Sequence, residues 1–500
     1  MSTQATTPDP RRWWALAVLC GAFFVIILDS AIVIVALPSI GGDLGFSTQG
    51  LQWVISAYAL TFGSLLLLGG RAADLLGRRR MFMVGLGAFT LASLLCGLAW
   101  SDETLIGARA FQGIGAAIMT PTALSIITTT FEEGAERNKA LGIWGALGGL
   151  GATAAWLIGG PLVDGPGWEW IFYINIPIGL AAVALAPLLL RESHAASERR
   201  SYDPAGALTV TAALVLLVYA IVEAPEAGWS GTQTIGLLTA SAVLMAVFTA
   251  IEARATAPLL PLRFLGSRRI VGANLAMLIT GTLAWGVGFT LTQYAQQVLD
   301  YSALEFGVSS VVIPVGAIVG NMSGQAIVLR VGFMPVAVGA LALMGSGSLA
   351  LTQVSVGGNY VDDIFFGLLL FGPGLGAAFV TASIAALAGA AEREAGLASG
   401  LSNTAWMIGG ALGTAIVSTV ALSRTNDLVS ANPGGERELA LTEGFQSAFW
   451  ACVVLAGIGL VVSLLLITRP RVAAPERVQP APVPRRTHIA HAQRRDHPRT

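Results

Sequence analysis

Fourteen stretches of this chain are apolar over about the twenty residues that a bilayer's hydrocarbon demands, and no other feature limits its folding as much. They cover approximately 13–37, 50–70, 81–100, 104–128, 138–162, 169–190, 204–223, 233–252, 269–298, 304–328, 333–352, 362–387, 396–422 and 445–468. In lipid a backbone amide has no water to bond, so such runs are helices. Charged residues make up 11% of the chain and apolar residues 54%, against about 25% charged in a soluble domain. The expected fold is an all-α integral membrane protein with 14 transmembrane helices. The ninth run is long and is expected to carry an interfacial turn.

Positive charge orients the runs. With the side of Met1 taken as inside, the inner connections and tail hold 25 of the 28 Arg and Lys residues, among them Arg78–Arg80, Arg199, Arg200 and Arg393. The outer side holds Arg424 and Arg437, and Arg109 lies within an apolar run. Both termini are therefore expected in the cytoplasm, with the chain in the cell membrane. The first run is long enough to span and lacks a small-residue cleavage site, so no cleavable signal peptide is expected. The segment beyond Arg469, rich in Pro, Arg and His, is expected to be disordered and within reach of anionic lipid. Residues 423–444 read as a solvated outer loop.

Familiar enzyme chemistry is absent: there is no HExxH, no P-loop and no Ser/His/Asp set. Cys20, Cys96 and Cys452 each sit inside an apolar run and read as small buried hydrophobes. His194 lies in a connection, and the spacing of His488, His491 and His497 is too loose for a metal tract. Not an enzyme, then, and no cofactor, metal or nucleic-acid partner is expected.

Two ionisable residues stand inside spans, where such groups are functional by default. Asp29, in ILDSAIVIVALP, is about eight residues from the outer end of its run; Arg109, in LIGARAFQGIGAA, is about five. At 1.5 Å per residue these depths are roughly 12 and 7 Å, close enough for the side chains to meet. Gln112 shares the face of Arg109, and Gly113 and Gly115 let another helix approach. Either Asp29 and Arg109 form a static pair, or Asp29 exchanges a proton or faces a cationic ligand while Arg109 tunes it.

Between the second and third runs, GRAADLLGRRR sets Gly70 and Gly77 to permit a tight connection. Asp74 there can cap a helix or pair with Arg78 or Arg79. The fifth run is nearly all small residues, with Trp156 as a bulky exception that either packs or faces a ligand. Substrate-cavity candidates are the amides and aromatics inside spans: Gln52, Trp53, Tyr58, Asn175, Gln293, Tyr294, Gln297, Asn321, Asn403 and Trp406. Each taken alone reads first as helix–helix glue.

Together these motifs resemble the major facilitator superfamily, and within it the fourteen-helix drug:proton antiporters. Gly70–Arg80 is similar to the family's signature loop, Leu105–Ala117 to its helix-four motif, and Leu28–Pro38 to its helix-one motif. Trp168–Gly179, Asp203, Gly206, Trp229, Pro258–Phe264 and Gly396–Gly413 fit further family positions. The helix-five motif keeps Gly151, Gly159 and Gly160 but has Ala155-Trp156 where the family has Gly-Pro. The resemblance implies a six-helix bundle over 13–190, a two-helix insertion over 191–268 and a second bundle over 269–468, flanked by tails 1–12 and 469–500. It also implies a midplane cavity that opens alternately to each side, with Asp29 and Arg109 in proton coupling and Asp74 with Arg78 and Arg79 as an inner latch. The expected activity is proton-coupled export of amphipathic or hydrophobic drugs or antibiotics by a monomer; its partners are the small hydrophobic substrate, protons and the bilayer. An uptake permease or facilitator, suggested by Ala155-Trp156, and a non-transporting membrane sensor are the alternatives.

Overall fold

The computed structural model describes residues 11–466 apart from 48–49, 132–133, 194–202, 256–257, 261, 389–394 and 433–435. The expectations placed on the tail from Arg469, with its three histidines, and on His194, Arg199, Arg200 and Arg393 lie outside those residues. Within them the chain is helical, and 14 helical spans are long and apolar enough to cross a membrane.

The first half holds α1 (Arg12–Leu44), α2 (Trp53–Leu76), α3 (Arg78–Gly97), α4 (Asp102–Thr130) and α5 (Ala135–Asp164). Its sixth span is divided into α6 (Trp170–Tyr173) and α7 (Asn175–Leu189). An inserted pair follows, α8 (Pro204–Ala227) and α9 (Thr232–Arg254). The second half holds α10 (Arg268–Gln297), a span divided into α11 (Ala303–Ser310) and α12 (Val312–Val331), and α13 (Phe333–Leu351). It closes with α14 (Phe366–Ala388), α15 (Ala395–Ala431) and α16 (Arg437–Leu466). Polar residues start several helices: Ser101 and Thr104 form a capping box on α4, Asp203 caps α8, and Ser302 with Glu305 caps α11.

Three boundaries differ from expectation. The interfacial turn lies ahead of the ninth span, as a 3₁₀ turn over Leu262–Gly266, and α10 itself runs unbroken. The supposed loop over 423–444 is mostly helix, since α15 reaches Ala431 and α16 begins at Arg437, with Arg424 and Glu443 paired at 2.8 Å between them. The supposed connection Gly70–Arg80 shrinks to one residue. Gly70 and Asp74 lie within α2, and Gly77 alone makes the turn at φ +104°, a conformation L side chains rarely adopt.

Within the first half, α2 and α3 pack on α4, and α1 packs on α5 and α7; within the second, α15 packs on α10, and α14 on α12 and α13. The fold is thus two six-span bundles plus an inserted pair. The halves meet where α2 lies on α15, α5 on α11 and α1 on α10. One end of the bundle carries most of the arginines (the Arg-rich end) and the other few (the Arg-poor end). At the Arg-poor end α5 and α11 cross closely: the backbone of Leu304 lies against Gly160, and the Trp156 carbonyl against Gly307, so neither glycine leaves room for a Cβ. There Asp164 accepts from the Ala303 and Leu304 amides at 3.2 and 2.8 Å, and Gln296 donates to the Val35 carbonyl at 3.0 Å.

Candidate functional site

Asp29 on α1 and Arg109 on α4 meet in the first half, with relative exposures of 0% and 1%. Arg109 Nη1 donates to Asp29 Oδ2 at 2.6 Å. Its Nε donates to the Val54 carbonyl of α2 at 2.9 Å, and Nη1 also donates to Gln112 Oε1. The guanidinium lies over the Tyr58 ring at 4.3 Å and the Phe172 ring at 5.7 Å, a desolvated cation–π setting.

The other carboxylate oxygen is held as firmly. Asp29 Oδ1 accepts from Gln112 Nε2 at 2.8 Å and from Asn175 Nδ2, at the start of α7, at 2.9 Å. Ser93 on α3 accepts from the same two amides at 2.9 and 3.3 Å, and the Cys96 thiol lies 3.7 Å from Gln112 Oε1. Five elements of one half thus converge on a single carboxylate whose three side-chain neighbours are all donors. A buried set of donors of this kind is the complement of an ionised carboxylate.

The sequence placed Asp29, Arg109 and Gln112 within reach of one another and offered Tyr58 and Asn175 as separate candidates; the structure brings all five together. It adds Ser93, the Val54 carbonyl and Phe172, which the sequence reading missed. A serine one face over on α3 carries no sequence signal that distinguishes it from packing, and a backbone acceptor carries none at all. Asn175 Oδ1 is buried without a hydrogen-bond partner among the described residues.

The remaining candidates lie elsewhere. Gln52 is buried and accepts from Ser56 at 2.8 Å, while Trp53 lies 6.2 Å from Tyr219 of α8, ring centre to ring centre. Tyr294 donates to the Ser355 carbonyl at 2.7 Å and so pins the chain between α13 and α14. Gln293 is buried on α10, and Gln297 at its end is exposed. Asn321 on α12 accepts from Gln325 at 3.4 Å, Asn403 on α15 is exposed, and Trp406 packs edge-on against Phe379 of α14.

In α5, Ala155 and Trp156 are buried, and Trp156 meets Phe306 of the other half at 5.3 Å. Gly151 and Gly159 seat α5 on Ile27 and Ile32 of α1, while Gly113 seats α4 on Tyr58 and Thr61 of α2. Of the two roles open to Asp74, the structure shows pairing: Arg78 Nη2 donates to it at 2.9 Å. The rest of this basic turn clasps the exit of α7. The Arg78 amide donates to the Ser193 carbonyl at 3.0 Å, and the Arg79 amide to Glu192 at 3.0 Å. Asp74, Arg78 and Arg79 thus find these partners within the first half.

Three comparisons place this geometry among known proteins. The sequence profile of the Major Facilitator Superfamily matches residues 19–414. The chain is 38% identical over 464 residues to the puromycin resistance protein pur8 of Streptomyces alboniger, covering 92% of this chain and 90% of that one. It is 36% identical over 436 residues to the cephamycin export protein CmcT of Amycolatopsis lactamdurans, covering 85% and 88%. In fold it is similar to a bacterial homologue of the human lysosomal transporter Spinster, in an inward-facing and unoccupied conformation. The TM-score there is 0.64 at 18% identity, over 92% of this chain and 98% of that one.

Proposed function

The chain belongs to the major facilitator superfamily, and from that premise we propose that it exports amphipathic or hydrophobic drugs or antibiotics in exchange for protons by alternating access. Export is supported by relatives whose names state resistance to puromycin and export of cephamycin. The substrate is a small molecule, and the chain is a multi-pass protein of the cell membrane with both termini in the cytoplasm, acting as a monomer.

Proton coupling rests on Asp29. Its carboxylate is buried in the span region, meets one fixed cation and two amide donors, and is the group whose charge a single proton removes. Protonation cancels the attraction to Arg109. It also leaves Asp29 needing an acceptor, and a half-turn of the Asn175 amide supplies Oδ1, which has no partner among the described residues. Coupling then requires only that proton and substrate differ in affinity between the two facing states. Asn321, Asn403 and Trp406, all at least partly exposed, form the wall of the substrate path on the second half. Asp74 with Arg78 and Arg79 acts as the inner latch, holding the outward-facing state.

The test is flux in proteoliposomes, with a fluorescent lipophilic cation and an imposed pH gradient. Uphill movement that collapses with the gradient is expected. The Asp29→Asn variant should lose gradient-driven movement by at least about a hundredfold, a change of roughly 2.7 kcal/mol in the coupled step. Undiminished proton-driven flux in that variant removes Asp29 from the mechanism, and downhill movement indifferent to pH in the native protein establishes a facilitator instead.

A further inference from the structure

At the Arg-poor end a recess of about 580 Å³ lies between α11 and the turn that leads into α14. Tyr301, Leu304, Glu305, Val308 and Ser309 line it from α11 and the residues before it, and Tyr360 lines it from the turn. A volume of this order holds a drug-sized molecule. The Tyr360 hydroxyl donates to the Ser309 carbonyl at 2.8 Å, which ties that ring to α11.

The recess lies on the outer face of α11. Ala303, Phe306, Gly307 and Ser310 are buried toward the bundle, and Gly307 lies against the Trp156 carbonyl of α5. Leu304, Glu305 and Val308 share the opposite face, by spacings of four and three residues. Leu304 and Val308 are 42% and 55% exposed. Since α11 opens a span long and apolar enough to cross a membrane, these side chains meet acyl chains of the leaflet at this end.

The charge around the recess is of one sign. The sequence holds no Arg or Lys between Arg269 and Arg330 or between Arg330 and Arg393, yet Asp300, Glu305, Asp362 and Asp363 fall in those stretches. Glu305 accepts from the Ser302 amide at 2.9 Å, Asp362 from Asn359 at 2.7 Å and Asp363 from Ser355 at 3.2 Å. These partners are neutral and leave the negative charge in place. Burial, then the charges of Glu305 and Asp363, push the Tyr301 hydroxyl above the usual tyrosine range, so two carboxylates act on one ring of the recess.

We propose that this recess binds an amphipathic organic cation from the leaflet at the Arg-poor end, with its charge beside Glu305 and the Tyr301 ring and its apolar body against Leu304, Val308 and Tyr360. The carboxylates repel an anion and add nothing for a neutral amphipath. A lipid with an amine headgroup brings its phosphate against them. A tyrosine ring at an exposed site favours a cation by about two- to fivefold, and an exposed carboxylate does so by a similar factor. The site stands apart from the Asp29 network, and the proposal does not rest on proton coupling or on the direction of transport.

The experiment is photolabelling of the full chain in phosphatidylcholine nanodiscs, without a gradient, by an alkyltriphenylphosphonium that carries a diazirine. An alkyldiphenylphosphine oxide with the same diazirine is the neutral counterpart, and labelled positions are mapped by peptide mass spectrometry. The cation should label α11 or residues 355–361, be displaced by tetraphenylphosphonium, and exceed the neutral probe there by about fivefold or more. Glu305→Gln keeps a capping side chain on α11 and removes its charge; combined with Tyr301→Leu it should cut the labelling by roughly tenfold at an unchanged melting temperature. If that pair does not fold, Glu305→Gln alone should cut it by about two- to fivefold. Asp427→Asn, exposed at the same end on α15, should leave it unchanged. Equal labelling by the neutral probe, undiminished labelling in a folded variant, an equal drop in Asp427→Asn, or labelling confined to other helices overturns the proposal.

Discussion

At Arg109 the arrangement of charge makes one variant far more harmful than two. Removing the guanidinium alone leaves Asp29 buried without its cation, a situation that costs about 3–5 kcal/mol in proteins. Arg109→Gln should therefore lower the melting temperature of the purified protein sharply. Adding Asp29→Asn to it should restore much of the loss, because the uncompensated charge is gone. A double variant no more stable than Arg109→Gln would show that the pair is not energetically coupled. Asn175→Leu removes one donor from the same carboxylate, and hydrogen bonds to charged groups contribute about 1.5–3 kcal/mol. It should cut gradient-driven flux by about ten- to a hundredfold while substrate exchange without a gradient is less affected; equal loss of both would assign Asn175 to packing. Asp29 and Arg109 were legible in the sequence because a charge within an apolar run is conspicuous. Tyr294 was ambiguous for the opposite reason: an aromatic inside a span looks the same whether it lines a cavity or, as here, bonds a neighbouring loop.

Among elements, α5 and α11 lie backbone to backbone at the Arg-poor end, where Leu304 meets Gly160 and the Trp156 carbonyl meets Gly307. Asp164 sits against the first amides of α11, where the helix dipole favours a carboxylate by about 0.3–1 kcal/mol. Asp164→Asn should shift the facing equilibrium toward opening at that end by roughly two- to fivefold. Gly307→Val, which sets a branched side chain against the Trp156 carbonyl, should shift it further. Spin labels on α5 and α11 at the Arg-poor end would read both as a growing population at long distance, and unchanged distances in both would remove this crossing as a gate. The span extents were readable from hydropathy. The polar continuations of α15 and α16 past the membrane were not, since nothing apolar marks a helix that has left lipid. Nor was the one-residue turn at Gly77 apparent, because Gly70 at the head of the same motif carries the same signal and lies in mid-helix.

For the whole molecule, the arginine distribution carries a prediction of its own. A fluorescent protein fused after Thr500 should light up in intact cells, and an alkaline phosphatase fused there should be silent; the reverse pattern would invert the orientation. The inserted pair makes the two halves unequal partners in any rocking motion. Tyr219 of α8 lies beside Trp53 of α2, and the Ile221 carbonyl of α8 accepts from Thr419 of α15 at 3.1 Å. One helix therefore touches both halves along the α2–α15 seam, while among the described residues no inserted helix straps the α5–α11 seam on the other flank. A door hung along one jamb swings at the opposite edge. The same asymmetry would make the α5 flank travel furthest with each turnover, and a molecule dissolved in the membrane would find its doorway there.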